Sequence, residues 1–359
     1  MTEVNSQWSE TVAFTVVGED WPTVEYAKIF PNDLIGQERF GSGVALSGDG
    51  TLALVGAKYD DTNGTDTGCV HVYSRMADSW TRIAKFYSSD GAANDNFGIS
   101  VALSSDGQHA LVGAAGDDDA GSGSGSAYYF TQVGGVWTQR AKLVASDAAA
   151  GDWFGRSCAL NLDGSVALIG ATSDDVSASG SGSVYYFTRS GSVWTQQSKL
   201  HAGDPIAGGE FGTGVALNDA GTKAIITSVK SGSEAFYVFN RSGAVWSQET
   251  KINATGTKLG SLFGYDVALN GDGTIALLSA PNYDVTKGSS IYSNSGSVYV
   301  YRFIASVWTQ ETVLVASDPE KDQFFGTSVS LDATGAMALI GASGDDSRAS
   351  DTGAVYFFN

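Results

Sequence analysis

Lysine and arginine are scarce in this chain of 359 residues: 20 of them face 39 aspartates and glutamates, for a formal net charge of −19 at pH 7. A protein that grips phosphates must supply cations to displace their counterions. The balance therefore argues against nucleic acid as a partner and against docking on an anionic membrane. It suits solubility, and it suits basic partners or cations. No apolar run approaches the ~20 residues a spanning helix needs, so no membrane insertion is expected. Histidine is rarer still, with His71, His109 and His201 in unrelated contexts. No histidine metal cluster, nucleophile elbow or phosphate loop is present, and an enzyme is not expected. The two cysteines, Cys69 and Cys158, fall in separate repeat units and read as small buried residues rather than a disulfide. The opening Met1-Thr2-Glu3-Val4-Asn5-Ser6 has no signal-peptide core, so either export by that route is not expected or a leader has been removed.

Proline is limited to 5 residues while glycine reaches 46, which points to many tight turns. Between Gly/Ser/Asp clusters lie short runs of Val, Tyr, Phe, Trp and Thr, the all-β pattern. The chain falls into register on Phe-Gly, at Phe40-Gly41, Phe97-Gly98, Phe154-Gly155, Phe211-Gly212, Phe263-Gly264 and Phe325-Gly326. Sixteen residues after each Phe comes Gly56-Ala57, Gly113-Ala114, Gly170-Ala171, Thr227-Ser228, Ser279-Ala280-Pro281 or Gly341-Ala342. Trp80, Trp137 and Trp194 stand forty residues after the Phe, with Trp246 and Trp308 shifted by indels in one loop.

Each copy reads as four strands, the first two joined by Asp-Gly turns whose positive φ angles suit a hairpin. Tandem four-stranded units predict an all-β fold, a β-propeller of six blades with four antiparallel strands each. The copies start near residues 40, 97, 154, 211, 263 and 325, and the last one lacks a fourth strand. Residues 23–30 align with the outer strand of the other copies, so they are expected to complete the last blade and close the ring. The domain is thus a single propeller over 21–359, preceded by an extension over 1–20 in which 11–17 could form an edge strand. A ring of seven blades is the alternative, but twenty residues cannot supply four more strands.

Phe-Gly followed by Gly-Ala(-Pro) resembles the FG-GAP repeat, in the bacterial and algal variant reading Trp-Thr-Gln, Lys-Leu, Ser-Asp and Asp-x-Phe-Gly. The resemblance covers about 21–359 and extends to the propeller at the head of integrin α subunits. It implies binding or cell adhesion, an extracellular or cell-surface setting, and calcium held in blade loops. Integrin heads have seven blades, and their Asp-x-Asp-x-Asp-Gly loop is absent here.

Propeller strand order places the loops between strands two and three on the same face as the links from one blade to the next. Both sets are acidic, so most of the carboxylates are expected on one face. Two readings fit them. In one, Ca²⁺ is held by loop pairs Asp60-Asp61, Asp117-Asp118, Asp174-Asp175 and Asp345-Asp346 facing link residues Asp90 and Asp95, Asp147 and Asp152, or Asp318 and Asp322. In the other, each Asp bonds the backbone of its own loop, as Asx turns do. Blade four, with Ser228-Val229-Lys230-Ser231, should lack such a site. The outer-strand tryptophans read as packing residues. Trp153 and Phe324 precede Phe-Gly on the acidic face and are candidate contacts for a sugar or protein ligand. The function expected is a non-catalytic module with a protein or glycan partner. A structural subunit of a larger assembly is one alternative, and a carbohydrate-active enzyme using two of the many acids is another.

Overall fold

The computed structural model describes residues 21, 23, 25–31, 37–77, 79–254 and 260–359. The extension over 1–20, with its edge strand, and Asp33 in the first link lie outside them. Six four-stranded antiparallel sheets form the blades of a closed ring. Blade one comprises Phe40–Leu46, Leu52–Ala57, Cys69–Met76 and Ser79–Phe86. Blades two, three and four open at Ser100, Phe154 and Val215 with the same strand order. Blade five runs from Val267 to Leu314 and carries an added hairpin, Val285–Lys287 with Ser290–Tyr292, in the loop that the sequence lengthens. In blade six, Glu25–Ile29 pairs antiparallel with Ala354–Phe358 as the outer strand. Residues 25–29 and 354–358 are therefore hydrogen-bonded to each other, as the missing fourth strand requires. Among the described residues no helix is long and apolar enough to cross a membrane.

The repeated dipeptides meet at the seam between blades. A side chain on Gly56 would collide with the carbonyl oxygen of Gly98, and Gly113, Gly170 and Gly341 stand in the same relation to Gly155, Gly212 and Gly41. The Gly of the second strand is there so that the Phe-Gly of the next blade can approach backbone to backbone. Where Thr227 takes that place, its hydroxyl donates to Gly264 O at 2.5 Å instead. Each Phe of the pair is fully buried and meets the ring of its own third strand edge-on, as Phe97 does with Tyr128 at 5.5 Å and Phe154 with Tyr185 at 5.3 Å. The outer-strand tryptophans bridge neighbouring blades: Trp137 stacks on Phe86 at 5.6 Å and Trp194 meets Tyr129 at 5.2 Å. Cys69 and Cys158 are buried free thiols.

The two ends of the central channel differ. At the hairpin end a belt of backbone hydrogen bonds runs turn to turn around the axis. Gly48 N donates to Ser105 O, Asp106 N to Leu162 O, Leu162 N to Asp219 O, Asp219 N to Gly271 O, Gly271 N to Ala333 O, and Ala333 N back to Gly48 O. Ser105 Oγ also donates to Asp219 across the axis, from blade two to blade four. The belt rings one end of the cavity of about 120 Å³ along the axis, whose lining runs from Ser105, Asp219 and Ala333 there to Arg156, Thr213 and Thr327 toward the loop face.

Candidate functional site

The loop face is built from one repeated charge cluster. The outer strand of most blades carries a lysine five residues after its tryptophan position, and its ammonium group reaches the first Asp of the loop between strands two and three. Lys85 meets Asp60 at 2.6 Å, Lys142 meets Asp117 at 2.7 Å, and Lys28 meets Asp345 at 2.7 Å. Lys199 pairs with Asp174 in the same way. The same lysines reach the link entering their blade, with Lys142 on Asp90 at 3.0 Å, Lys199 on Asp147 at 2.9 Å and Lys28 on Asp318 at 2.8 Å. Below Lys142, Lys199 and Lys28 lies a third-strand tyrosine. Tyr128 donates to Asp117 at 2.8 Å, Tyr185 to Asp174 at 2.6 Å, and Tyr356 to Asp345 at 3.0 Å.

These aspartates are buried, and burial alone would raise their pKa. Lysine and the loop amides outweigh it, so Asp60, Asp117 and Asp345 lie below the ordinary carboxylate range. Conversely, burial is outweighed at Lys142, whose pKa is raised by Asp117, Asp119, Tyr128 and Asp90.

The remaining oxygens serve the loops. Oδ1 of Asp60, Asp117, Asp174 and Asp345 accepts the amide two residues on, at 3.0 to 3.1 Å. The second loop aspartates, Asp61, Asp118, Asp175 and Asp346, each accept the amide five residues on at 2.6 to 2.7 Å. In the links, Asp95 and Asp152 accept Ala92 N and Ala149 N at 2.7 and 2.8 Å. Burial, and after it the nearby Asp117 and Asp174, raise the pKa of those two. Asp322 accepts Asn294 Nδ2 at 2.8 Å. The structure thus brings the expected loop and link acids together, but around an ammonium group. Calcium takes six to eight oxygens at about 2.3–2.6 Å. Oxygens already given to lysine, tyrosine and amides do not fit that demand while the lysine stays in place.

Where the repeat changes, the cluster changes as a unit. Blade five has Tyr283 for the loop aspartate and Val313 for the lysine. Blade four has Ser231 for the aspartate and keeps Lys251 on the link residue Asp204 at 2.6 Å. In blade one, Cys69 and His71 stand where blade two has Ser126 and Tyr128, and their donor atoms lie within 4.8 Å of one another and of Asp60. Burial, then the Asp60 carboxylate, hold the Cys69 thiol well above its ordinary pKa, so it is a protonated thiol. The sequence reading missed the lysines as a group. Their signal is a recurrent cation at fixed spacing in a chain poor in cations.

Inside the acidic rim stands a second ring of a different kind. The residue before each Phe-Gly is Arg39, Asn96, Trp153, Glu210, Leu262 or Phe324, and all six have φ between 53 and 59°. Their backbone is fixed by the preceding blade: Asn96 N donates to Asp66 O, Trp153 N to Gly123 O, and Phe324 N to Asn294 O. The left-handed conformation costs a residue with a Cβ roughly 1–2 kcal/mol, yet glycine occurs at none of the six positions. Trp153 is 50% exposed, and Phe324 is half-buried beside Arg39, whose guanidinium lies 5.9 Å from its ring. Two residues after each Phe, Arg156 and Tyr265 break a series otherwise filled by Ser42, Ile99, Thr213 and Thr327. Next to Tyr265, Asp266 sits in the channel and accepts Val267 N and Val329 N at 2.9 and 2.8 Å, with its pKa raised by burial to about 6.

The family described as FG-GAP repeat matches this chain at residues 23–73, 80–130, 137–187, 246–301 and 308–358. Each matched stretch is one outer strand followed by the first three strands of the next blade, and the uncovered stretch contains the first three strands of the divergent blade four. No curated protein matches. Among solved structures, the chain is similar to hydrazine synthase of Kuenenia stuttgartiensis, at 12% identity and a TM-score of 0.51 over 88% of this chain and 78% of that one. It is also similar to a functionally unknown protein from Desulfotomaculum acetoxidans DSM 771, at 12% identity and a TM-score of 0.48 over 85% and 79%.

Proposed function

Because the chain belongs to the FG-GAP repeat family, we propose that it is a non-catalytic binding module whose ligand docks on the loop face at the channel mouth. One observation carries this: six backbone positions of identical strained geometry present six different side chains. A position that served only the fold would relax to glycine or repeat its residue. Strain retained with a varied side chain is the arrangement of a recognition surface. The acidic loops, by contrast, are occupied in holding themselves and their lysines. On this reading lysine, not calcium, supplies the cation in the blades that keep the aspartate.

Carbohydrate is the ligand class that suits Trp153, an exposed indole amid polar loops. An extracellular or cell-surface role in adhesion accords with it. A glycan array probed with the wild-type chain and with Trp153→Ala and Phe324→Ala tests the proposal. Binding to a defined glycan set that falls at least tenfold in Trp153→Ala, with an unchanged melting temperature, is expected. Glycan binding indifferent to both substitutions, or no binding to any glycan, would overturn the carbohydrate assignment.

A further inference from the structure

Three alternate blades converge on the mouth of the channel. Arg156 of blade three lines the axial cavity, and its guanidinium lies 4.6 Å from the ring of Tyr265 in blade five. Blade four lies between those two, so the contact reaches across the mouth. From blade one, Lys58 follows the second strand directly, and its amide is tied to Ser42 Oγ, itself on the cavity wall, at 3.2 Å. Arg39 of the same blade is paired with Asp351 at 3.0 Å.

Lys58 and Arg156 differ from the other half-buried cations. Among the described residues neither side chain makes a hydrogen bond or an ion pair; Lys58 Nζ lies 4.8 Å from the Tyr59 ring and Arg156 faces Tyr265, while Asp66 and Asp266 act on these cations only at longer range. This occurs in a chain with nearly twice as many acids as bases, where each blade lysine named above has a carboxylate. A self-sufficient fold with that surplus would place an acid beside these cations. Asp266, the acid of the channel, gives its oxygens to Val267 N and Val329 N, so the pair at the axis has no carboxylate in ion-pair contact and its direct countercharge is left to a ligand.

We propose that the channel mouth is an oxyanion site, in which Lys58 and Arg156 bind the carboxylate or sulfate of an acidic ligand while Tyr265 orients the guanidinium. The inference rests on the reading of the loop face as a binding surface and names the group recognised at its centre. Ring stacking fixes the plane of Arg156 and leaves its edge for a bidentate contact. Burial first, then the neighbouring Arg156 and Arg39, lower the Lys58 pKa to about 8, with Asp66 opposing them. An ammonium in that setting destabilises the unliganded fold and gains most from an arriving anion.

The test is calorimetric titration with glucuronate and with sodium sulfate, using glucose as the neutral control. Saturable binding of at least one anion is expected, weakened tenfold or more in Lys58→Met and in Arg156→Gln and unchanged in Lys321→Met, which alters an exposed lysine. Lys58→Met should also melt higher than the wild type without anion and lose the anion-induced rise in melting temperature. A lysine needed only for structure predicts a lower melting temperature instead. Absence of saturable anion binding, or wild-type affinity in both mouth variants, overturns the site. If the Trp153-dependent glycan signal survives that outcome, the face still binds and only its oxyanion centre has failed.

Discussion

Lys142 is held by Asp117, Asp90 and Asp119, and its removal would strand a buried carboxylate. Breaking one partner of a buried pair costs about 3–5 kcal/mol, so Lys142→Met should lower stability by about that much in chemical denaturation. The pH dependence has a defined sign. Asp60, Asp117 and Asp345 have folded pKa values below the unfolded value of 3.8. Their contribution is therefore complete above that value and is lost as pH falls through the folded pKa. Asp266 runs the other way, because its folded pKa is about 6. It is protonated in the fold before it is in the unfolded chain, so it lowers stability as pH rises from about 4 to about 6. Asp266→Asn should flatten stability over that window, read from denaturation midpoints at half-unit pH steps. At Cys69 and His71, the double change Cys69→Ser with His71→Tyr restores the residues of the other blades. It should preserve the fold and place a tyrosine hydroxyl on Asp60, detectable as an unchanged unfolding midpoint within about 0.5 kcal/mol.

At the level of the strand, the seam glycines and the turn glycines are needed for different reasons. Gly113 meets Gly155 O with no room for a Cβ, whereas Gly134 has a φ of 59° and open space around it. Gly113→Ala should cost about 3 kcal/mol, the upper range for overpacking. Gly134→Ala should cost roughly 1 kcal/mol, from backbone strain alone. Equal losses in urea melts would contradict this assignment of the seam. The strands themselves are legible because alternation, Asp-Gly turns and the tryptophan spacing repeat, which together place the strands of blade three at 155–160, 167–171, 183–188 and 193–200. It forms Phe154–Leu160, Val166–Ala171, Ser183–Ser190 and Val193–Leu200. The candidate site was less legible. Repetition identified the aspartates but hid their partners, because Lys142 and Asp117 are twenty-five residues apart and meet only when strand four folds back along strand three. Arg156 and Tyr265 lie in different blades, and only ring closure brings them together.

As a whole, the molecule is a ring whose last blade borrows its outer strand from the chain's beginning. Deleting residues 21–31 would leave Ala354–Phe358 as an open edge and remove the strand that ties the first blade to the sixth, leaving only seam contacts such as Gly41 against Gly341. Loss of cooperative unfolding together with concentration-dependent association is expected, measured by calorimetry and light scattering. The six-blade count followed from the repeat, and so did the closure. The polarity of the channel did not, because the backbone belt from Gly48 to Ala333 is made by main-chain atoms that carry no residue signature. The central claim is that the buried aspartates of the acidic rim are already paired with lysine, which leaves recognition to the varied residues inside it. Thermal unfolding in excess EDTA and in millimolar Ca²⁺ tests that claim most directly. The account predicts the same melting temperature in both. A rise with Ca²⁺ that equal Mg²⁺ does not reproduce would contradict it, since sites at 100 times their Kd add about 2.7 kcal/mol each.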